Sequence, residues 1–355
     1  MSERIANVGK SKDKSVSEIQ ESIRMNLHDC EAYLKELNHL NSSYKEKLNN
    51  ISFTVSDWSP DTSIIGKLIG TSITKFLIKL VHNKPTVISL ENESVHGLSN
   101  LFDKKLLVSC VDTNKLMVVD RNYNIIQHVN EIDQMKLNCP LGICHNNANR
   151  IYVCDLMNHR VLVLNQDFKL KKIIGDKASN ELGKFDRPVD CRFYAGNLYV
   201  LDCRNKRIQE FDSEGVFKRE IKLIKISFDV DKRNSLLSTD ENAYQKRPLR
   251  LDVTEDTIAV IDDYEELFIY NFAGDLKQMI KKCRLMCFVD AYLFTCDDHG
   301  LLTCYEKYNI NQCEEYLPLF KRKIDILQPP ISFICYFNGH LTISLGGSKK
   351  GIAIF

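Results

Sequence analysis

From about residue 85 onward the chain is written in short apolar runs separated by polar connections. In NRIYVCDLMNHRVLVLNQDFKLKKIIG (Asn149 to Gly175), two apolar runs, Ile151–Cys154 and Val161–Leu164, flank a connection that holds Asp155, Asn158, His159 and Arg160. Runs of this length bounded by turn-forming residues predict strands. The same grammar returns in NLYVLDCRNKRIQEFDSEGVFKREI (Asn197–Ile221), where an apolar strand ends in Asp202 and Arg207 opens the next. Weaker copies start at Leu106, Thr257, Tyr292 and His340. Strand-end markers at Asp112, Asp155, Asp202, Asp262, Asp297 and Leu345 recur every roughly 35 to 60 residues, a repeat length that fits propeller blades better than isolated hairpins. Ahead of several copies runs a further strand introduced by proline, in PLGICH, RPVDCRF, RPLRLDV and PPISFICYF. Proline suits the first residue of a strand, where no ladder donor is needed. Each unit is therefore expected to hold four strands, and six units predict an all-β, six-bladed β-propeller.

The first fifty residues follow another period. Apolar residues at Ile23, Leu27, Cys30, Leu34, Leu37, Tyr44 and Leu48, with Asn41 in the same seam, recur at alternating steps of four and three. That spacing predicts a coiled-coil helix whose polar seam residue sets register. The expected organisation is a disordered tail over 1–15, a coiled-coil helix over 16–51, a linker over 52–84 and a propeller over 85–355.

PLGICHNNANRIYVCDLMNHRVLVLNQDFKLKKIIG resembles the NHL repeat, whose Asn-His-Leu type of triplet reads Asn158-His159-Arg160 here. That resemblance implies a six-bladed propeller. It also suggests a structural role for the polar cluster: Asp155 with Arg160, and Asp202 with Arg207, clamp hairpin ends. In other copies the residue five after the marker is Met117, Leu267 or Leu302, so the clamp is expected to be optional. The last copy runs out after its third strand, and the β-branched run Thr86–Leu90 is expected to supply the fourth, tying the ring shut. A heptad helix followed by an NHL propeller is similar to the carboxyl-terminal half of tripartite-motif NHL and B-box proteins. The resemblance implies a protein-interaction scaffold linked to a ubiquitin-ligase system, with a self or related coiled coil as one partner. For several relatives it implies binding of single-stranded RNA.

Composition changes this picture little. Charged residues make up 27% of the chain yet balance to +1, so any attraction to RNA needs a local patch. No Cys-x-x-Cys spacing occurs among the thirteen cysteines, which removes RING and B-box zinc modules from the reading and makes ubiquitin transfer by this chain unexpected without a longer isoform or partner. Scattered cysteines inside apolar runs, and an amino terminus without an apolar core, predict reduced thiols in a cytoplasmic protein. The apolar segment Ile64–Val81 is broken by Lys67, Lys75 and Lys79, and no membrane span is expected. Inner-strand positions Gly142, Asp190, Arg250 and Ser332 form no His or carboxylate ring, and no nucleophile elbow or phosphate loop occurs. No catalytic residue, metal or cofactor is expected. The candidate binding face is the one that carries the connections from second to third strands and from blade to blade. It collects Arg204, Lys206, Arg247, Lys281, Lys282 and Arg284, then Lys321, Arg322 and Lys323, with Phe185, Tyr244 and Phe320 as stacking surfaces.

Overall fold

The computed structural model describes residues 86–91, 93–146, 148–223, 247–290, 292–310, 313–323, 331–337, 340–345 and 350–355. The propeller lies in a compact unit comprising Lys84–Pro318 and Lys323–Phe355. The expected tail, coiled coil and linker lie outside the described residues.

Six four-stranded antiparallel sheets follow one another along the chain. Blade 1 is β2 (Gly97–Leu101), β3 (Lys105–Cys110), β4 (Lys115–Val119) and β5 (Ile125–Val129). A two-stranded hairpin, β6 (Glu131–Ile132) and β7 (Met135–Lys136), precedes blade 2, which is β8 (Pro140–His145), β9 (Arg150–Asp155), β10 (Arg160–Asn165) and β11 (Leu170–Ile174). Blade 3 runs through β12 (Pro188–Tyr194), β13 (Asn197–Asp202), β14 (Arg207–Asp212) and β15 (Phe217–Lys222). Blade 4 is β16 (Pro248–Val253), β17 (Ile258–Asp262), β18 (Glu266–Tyr270) and β19 (Leu276–Lys281). Blade 5 is β20 (Leu285–Val289), β21 (Tyr292–Cys296), β22 (Leu301–Ile310) and β23 (Cys313–Lys323). Blade 6 takes β24 (Ile331–Phe337), β25 (His340–Leu345) and β26 (Gly351–Ile354), and its fourth strand is β1 (Thr86–Ile88), paired antiparallel with β26. Its outer strand thus comes from the opposite end of the ring, where it covers an edge that would otherwise expose unpaired backbone groups.

The innermost strands β2, β8, β12, β16, β20 and β24 each touch the next, and β24 returns to β2. Middle strands are buried on both faces because each sheet is covered by a blade on either side. Between blades 2 and 3, for example, Tyr152, Cys154, Val161 and Val163 pack with Cys191, Leu198, Val200 and Phe211. Equivalent clusters join blades 1 to 2, 3 to 4, 4 to 5 and 6 to 1. Outer strands alternate instead, as the half-buried pattern of β11 and β19 shows.

The turns between third and fourth strands share one device. Asp120, Asn165, Asp212 and Asn271 each accept the backbone N–H groups two and four residues on, at 2.8 to 3.1 Å. In each turn the third residue on has a positive φ, in Tyr123, Phe168, Gly215 and Gly274. A short acceptor side chain at the first position replaces bonds the bent backbone cannot make itself.

Candidate interaction face

In blade 3, Asp202 is fully buried and gathers the connection around it. Its Oδ1 accepts the Asp186 N–H at 2.8 Å, and its Oδ2 accepts Asn205 Nδ2 at 2.9 Å and Arg207 Nε at 2.8 Å. The guanidinium of Arg207 then spends its remaining donors on the carbonyls of Asn180, Glu181 and Lys184 and on Glu220 Oε1, at 2.9 to 3.2 Å. Burial pushes the Asp202 carboxyl above its usual range, and the hydrogen bonds from Asn205 and Arg207 pull against that rise. Blade 2 repeats the design. Arg160 Nε donates to Asp155 Oδ2 at 2.8 Å, Asn158 Nδ2 to the same oxygen at 2.9 Å, and the Asn138 N–H to Oδ1 at 2.7 Å. The middle residue of each triplet, His159 or Lys206, takes a left-handed φ of 52° or 51°. His159 Nδ1 also accepts the Arg187 N–H at 3.2 Å, which ties the blade 2 hairpin to the entry of blade 3. The Asp, Asn and Arg of the repeat thus hold the second-to-third connection and the chain entering the blade in one network.

Register corrects the alignment of the weaker copies. In blade 1, Cys110 pairs with Lys115 as Asp155 pairs with Arg160, so Lys115 rather than Met117 stands in the arginine position. Its carboxylate comes from elsewhere: Lys115 Nζ lies 2.8 Å from Glu93. Burial would raise the Glu93 carboxyl, but hydrogen bonds from Lys115 and Thr113 outweigh it and hold it low. In blades 4 and 5 the hairpin is one residue shorter, because Ile261 pairs with Leu267 and Cys296 with Leu302. The residues facing Asp262 and Asp297 are therefore Glu266 and Leu301 instead of Leu267 and Leu302. Both aspartates accept the backbone N–H groups two and four residues on, at 2.7 to 3.0 Å. Shortening the turn brings backbone donors to the carboxylate, and no arginine is required.

The expected basic patch is altered by its neighbours. Arg247 Nε lies 2.9 Å from Asp263, and Arg284 Nη1 lies 3.2 Å from Glu265 and 3.1 Å from Asp298. Arg204, Lys281, Lys282, Lys321 and Lys323 are exposed, and Lys323 Nζ donates to the His299 carbonyl. Lys206 is half-buried. Phe185 is no stacking surface: it is fully buried against Phe211, with ring centroids 5.6 Å apart. An apolar ring in a long inter-blade connection belongs inside, where it fills the space behind Gly175. That glycine has φ +74°, and an added Cβ there would meet the Phe185 ring at 2.9 Å. Tyr244 lies outside the described residues, and the side chains of Phe320 and Arg322 are not described.

Around the axis the inner strands carry a charged network built on Asp190, Arg192, Arg250 and Asp252. Asp190 Oδ1 accepts Arg192 Nη1 at 3.0 Å while its Oδ2 accepts the Leu251 N–H of the next blade at 2.9 Å. Asp252 accepts Arg192 Nε at 3.1 Å and, one blade on, the Phe288 N–H at 2.8 Å. The guanidiniums of Arg192 and Arg250 lie 5.1 and 5.5 Å from the Phe333 ring centroid. Burial raises the Asp252 carboxyl, with Arg192 pulling it back, and burial lowers Arg250, helped by Arg192 and Arg284. Gly142 opens room for this network, since a Cβ there would stand 2.4 Å from the Asp190 Cα. Asp190 with Arg192, and Arg250 with Asp252, are charged pairs at alternate positions of innermost strands, and that spacing was the signal available in the sequence. Arg250 and Arg284 also line a small pocket between blades 4 and 5 with Asp263 and Glu265. Among the described residues no cluster of three or more His, Cys, Asp or Glu could hold a metal ion, and no helix is long and apolar enough to cross a membrane.

Residues 137–164, which span the end of the blade 2 entry and β8 to β10, match the family described as NHL repeat. The molecule is thus a six-bladed β-propeller that carries an NHL repeat. No curated protein matches the chain. Among solved structures it is similar to one titled "Streptogramin B lyase structure", with 8% identity over 76% of this chain and 96% of that one and a TM-score of 0.45.

Proposed function

We propose that this chain is a non-catalytic interaction scaffold whose propeller binds a protein partner on the face built by the clamped connections. The supporting observation is the mosaic of charge on that face. Arg247 and Arg284 are held by Asp263, Glu265 and Asp298, so exposed Arg204, Lys281 and Lys282 stand among carboxylates and not in a continuous basic strip. A phosphate backbone selects for a row of cations, and nearby carboxylates repel it. A protein surface of alternating charge complements such a mosaic. Self-association through the heptad over 16–51 and a place in a ubiquitin-ligase system complete the reading, the first supported by the heptad spacing and the second by the resemblance to tripartite-motif NHL proteins.

The test is a triple reversal, Arg204→Glu with Lys281→Glu and Lys282→Glu, beside Lys171→Glu on the outer strand of blade 2 as control. Partners are captured by crosslinking with and without ribonuclease, and single-stranded RNA binding is followed across a salt series. Capture that survives ribonuclease, is lost in the triple reversal and persists in the control supports the scaffold. RNA binding with a steep salt slope that the triple reversal flattens would replace it with the RNA-binding reading.

A further inference from the structure

Blades 2 and 3 meet at three thiols that no clamp or axial contact uses. Cys144 lies on β8, Cys154 on β9 and Cys191 on β12, all within the apolar cluster that joins the two blades. The Sγ atoms of Cys144 and Cys191 are 3.4 Å apart although 47 residues separate them in the chain. Cys144 is 5% exposed and Cys191 is fully buried. The pair therefore faces itself across the joint between two innermost strands, where the 3.4 Å gap between sulfurs must close to a bond of about 2.05 Å.

We propose that Cys144 and Cys191 are an oxidative modification site, at which a hydroperoxide joins the innermost strands of blades 2 and 3 through a disulfide. The thiolate of Cys191 attacks a peroxide oxygen, the O–O bond breaks, and a sulfenic acid forms while hydroxide leaves and takes up the thiol proton as water. The Cys144 sulfur then attacks the Cys191 sulfur and its proton leaves with the hydroxyl as a second water. Two thiols supply two electrons, and hydrogen peroxide becomes two waters. Cys191 is assigned the first attack because it stands against both of the other thiols, Cys144 at 3.4 Å and Cys154. Burial alone would raise its thiol, but hydrogen bonds from Cys144 and Cys154 lower it, while those two thiols are themselves pushed up by burial. Local opening of the inner strands admits a small peroxide to this joint.

The experiment treats the folded full chain with hydrogen peroxide, alkylates the remaining thiols in denaturant and maps peptides without reduction. The expected product is one peptide pair joining Cys144 to Cys191 with the loss of two hydrogens. It comes with a rise in Tm on the order of 5 °C that dithiothreitol reverses. Cys191→Ser should abolish the pair, and Cys154→Ala should leave it. Because a core substitution can unfold the chain, the mapping of the unsubstituted protein decides the matter. Both cysteines alkylated after treatment, a link formed only in urea, a link to Cys154 instead, or sulfinic acid on Cys191 without a link would each overturn the proposal.

Discussion

Arg207 illustrates how one side chain can organise a connection. Each of its N–H donors finds an oxygen, and the carboxylate it pairs with is fully buried. Removing one partner of such a pair leaves a buried charge uncompensated, which costs about 3–5 kcal/mol. Asp202→Ala is accordingly expected to lower stability by about that amount in urea unfolding. A loss under about 1 kcal/mol, the scale of exposed pairs, would show that the network contributes little. The pH dependence has a definite sign. Because the folded Asp202 carboxyl lies above its ordinary value of 3.8, the folded state holds that proton more tightly than the unfolded chain. Its contribution is most favourable below 3.8 and declines as pH rises through the folded value. The stability of the unsubstituted chain minus that of Asp202→Asn should decline over that window and level off above it. A difference that instead climbs with pH would mean the pair lowers the carboxyl.

At the scale of elements, β1 has the least local support and the largest topological role. Its residues pair only with β26, as Thr86 with Ile354, Val87 with Ala353 and Ile88 with Ile352. A chain beginning at Val95 leaves β26 as an exposed edge and removes Leu90 from the cluster between blades 6 and 1. Its unfolding should begin at a lower temperature and spread over a broader range; a melt identical to that of the whole chain would dismiss the closing role. The heptad segment calls for a separate measurement. Leu34→Pro with Leu37→Pro should abolish self-association, because proline removes a helix hydrogen bond and clashes with the preceding turn. A monomer by light scattering in the unsubstituted chain, with no partner helix recovered, would remove the oligomerisation reading.

For the whole ring, the axial carboxylates act as latches between blades. Asp190 joins blade 3 to blade 4 and Asp252 joins blade 4 to blade 5, each by accepting a backbone N–H from the next inner strand. Blades 1 and 2 are joined differently, by the Ser109 hydroxyl donating to the Leu141 carbonyl at 2.7 Å. Asp252→Leu strands the Phe288 N–H and takes one partner from Arg192, so it should lower the Tm while the far-UV spectrum stays that of a β protein. An unchanged Tm would mean that apolar packing alone sets the joint between blades 4 and 5.

How much was legible follows from how local each feature is. Short apolar runs, proline at strand starts and the recurring Asp…Arg spacing are properties of neighbouring residues, and they specified six four-stranded units and the place of the Asp155–Arg160 and Asp202–Arg207 contacts. Register in the degenerate blades was beyond reach, because a hairpin shorter by one residue moves the partner of Asp262 from Leu267 to Glu266 without disturbing the apolar pattern. Charge on the binding face depended on distance between blades: Arg284 at the entry of blade 5 meets Glu265 of the blade 4 turn at 3.2 Å only because the two blades pack side by side. Phe185 looked available because its segment is a connection, yet the tertiary structure folds that connection back over the core. The sequence by itself determined the strands and their repetition, since backbone sterics and apolar spacing act within a few residues. The closing strand Thr86–Ile88 was legible too, because the last unit lacked a fourth strand. Which charges cancel and which thiols meet were decided by the tertiary structure, because those pairings join residues that only the packing of one blade on the next makes neighbours.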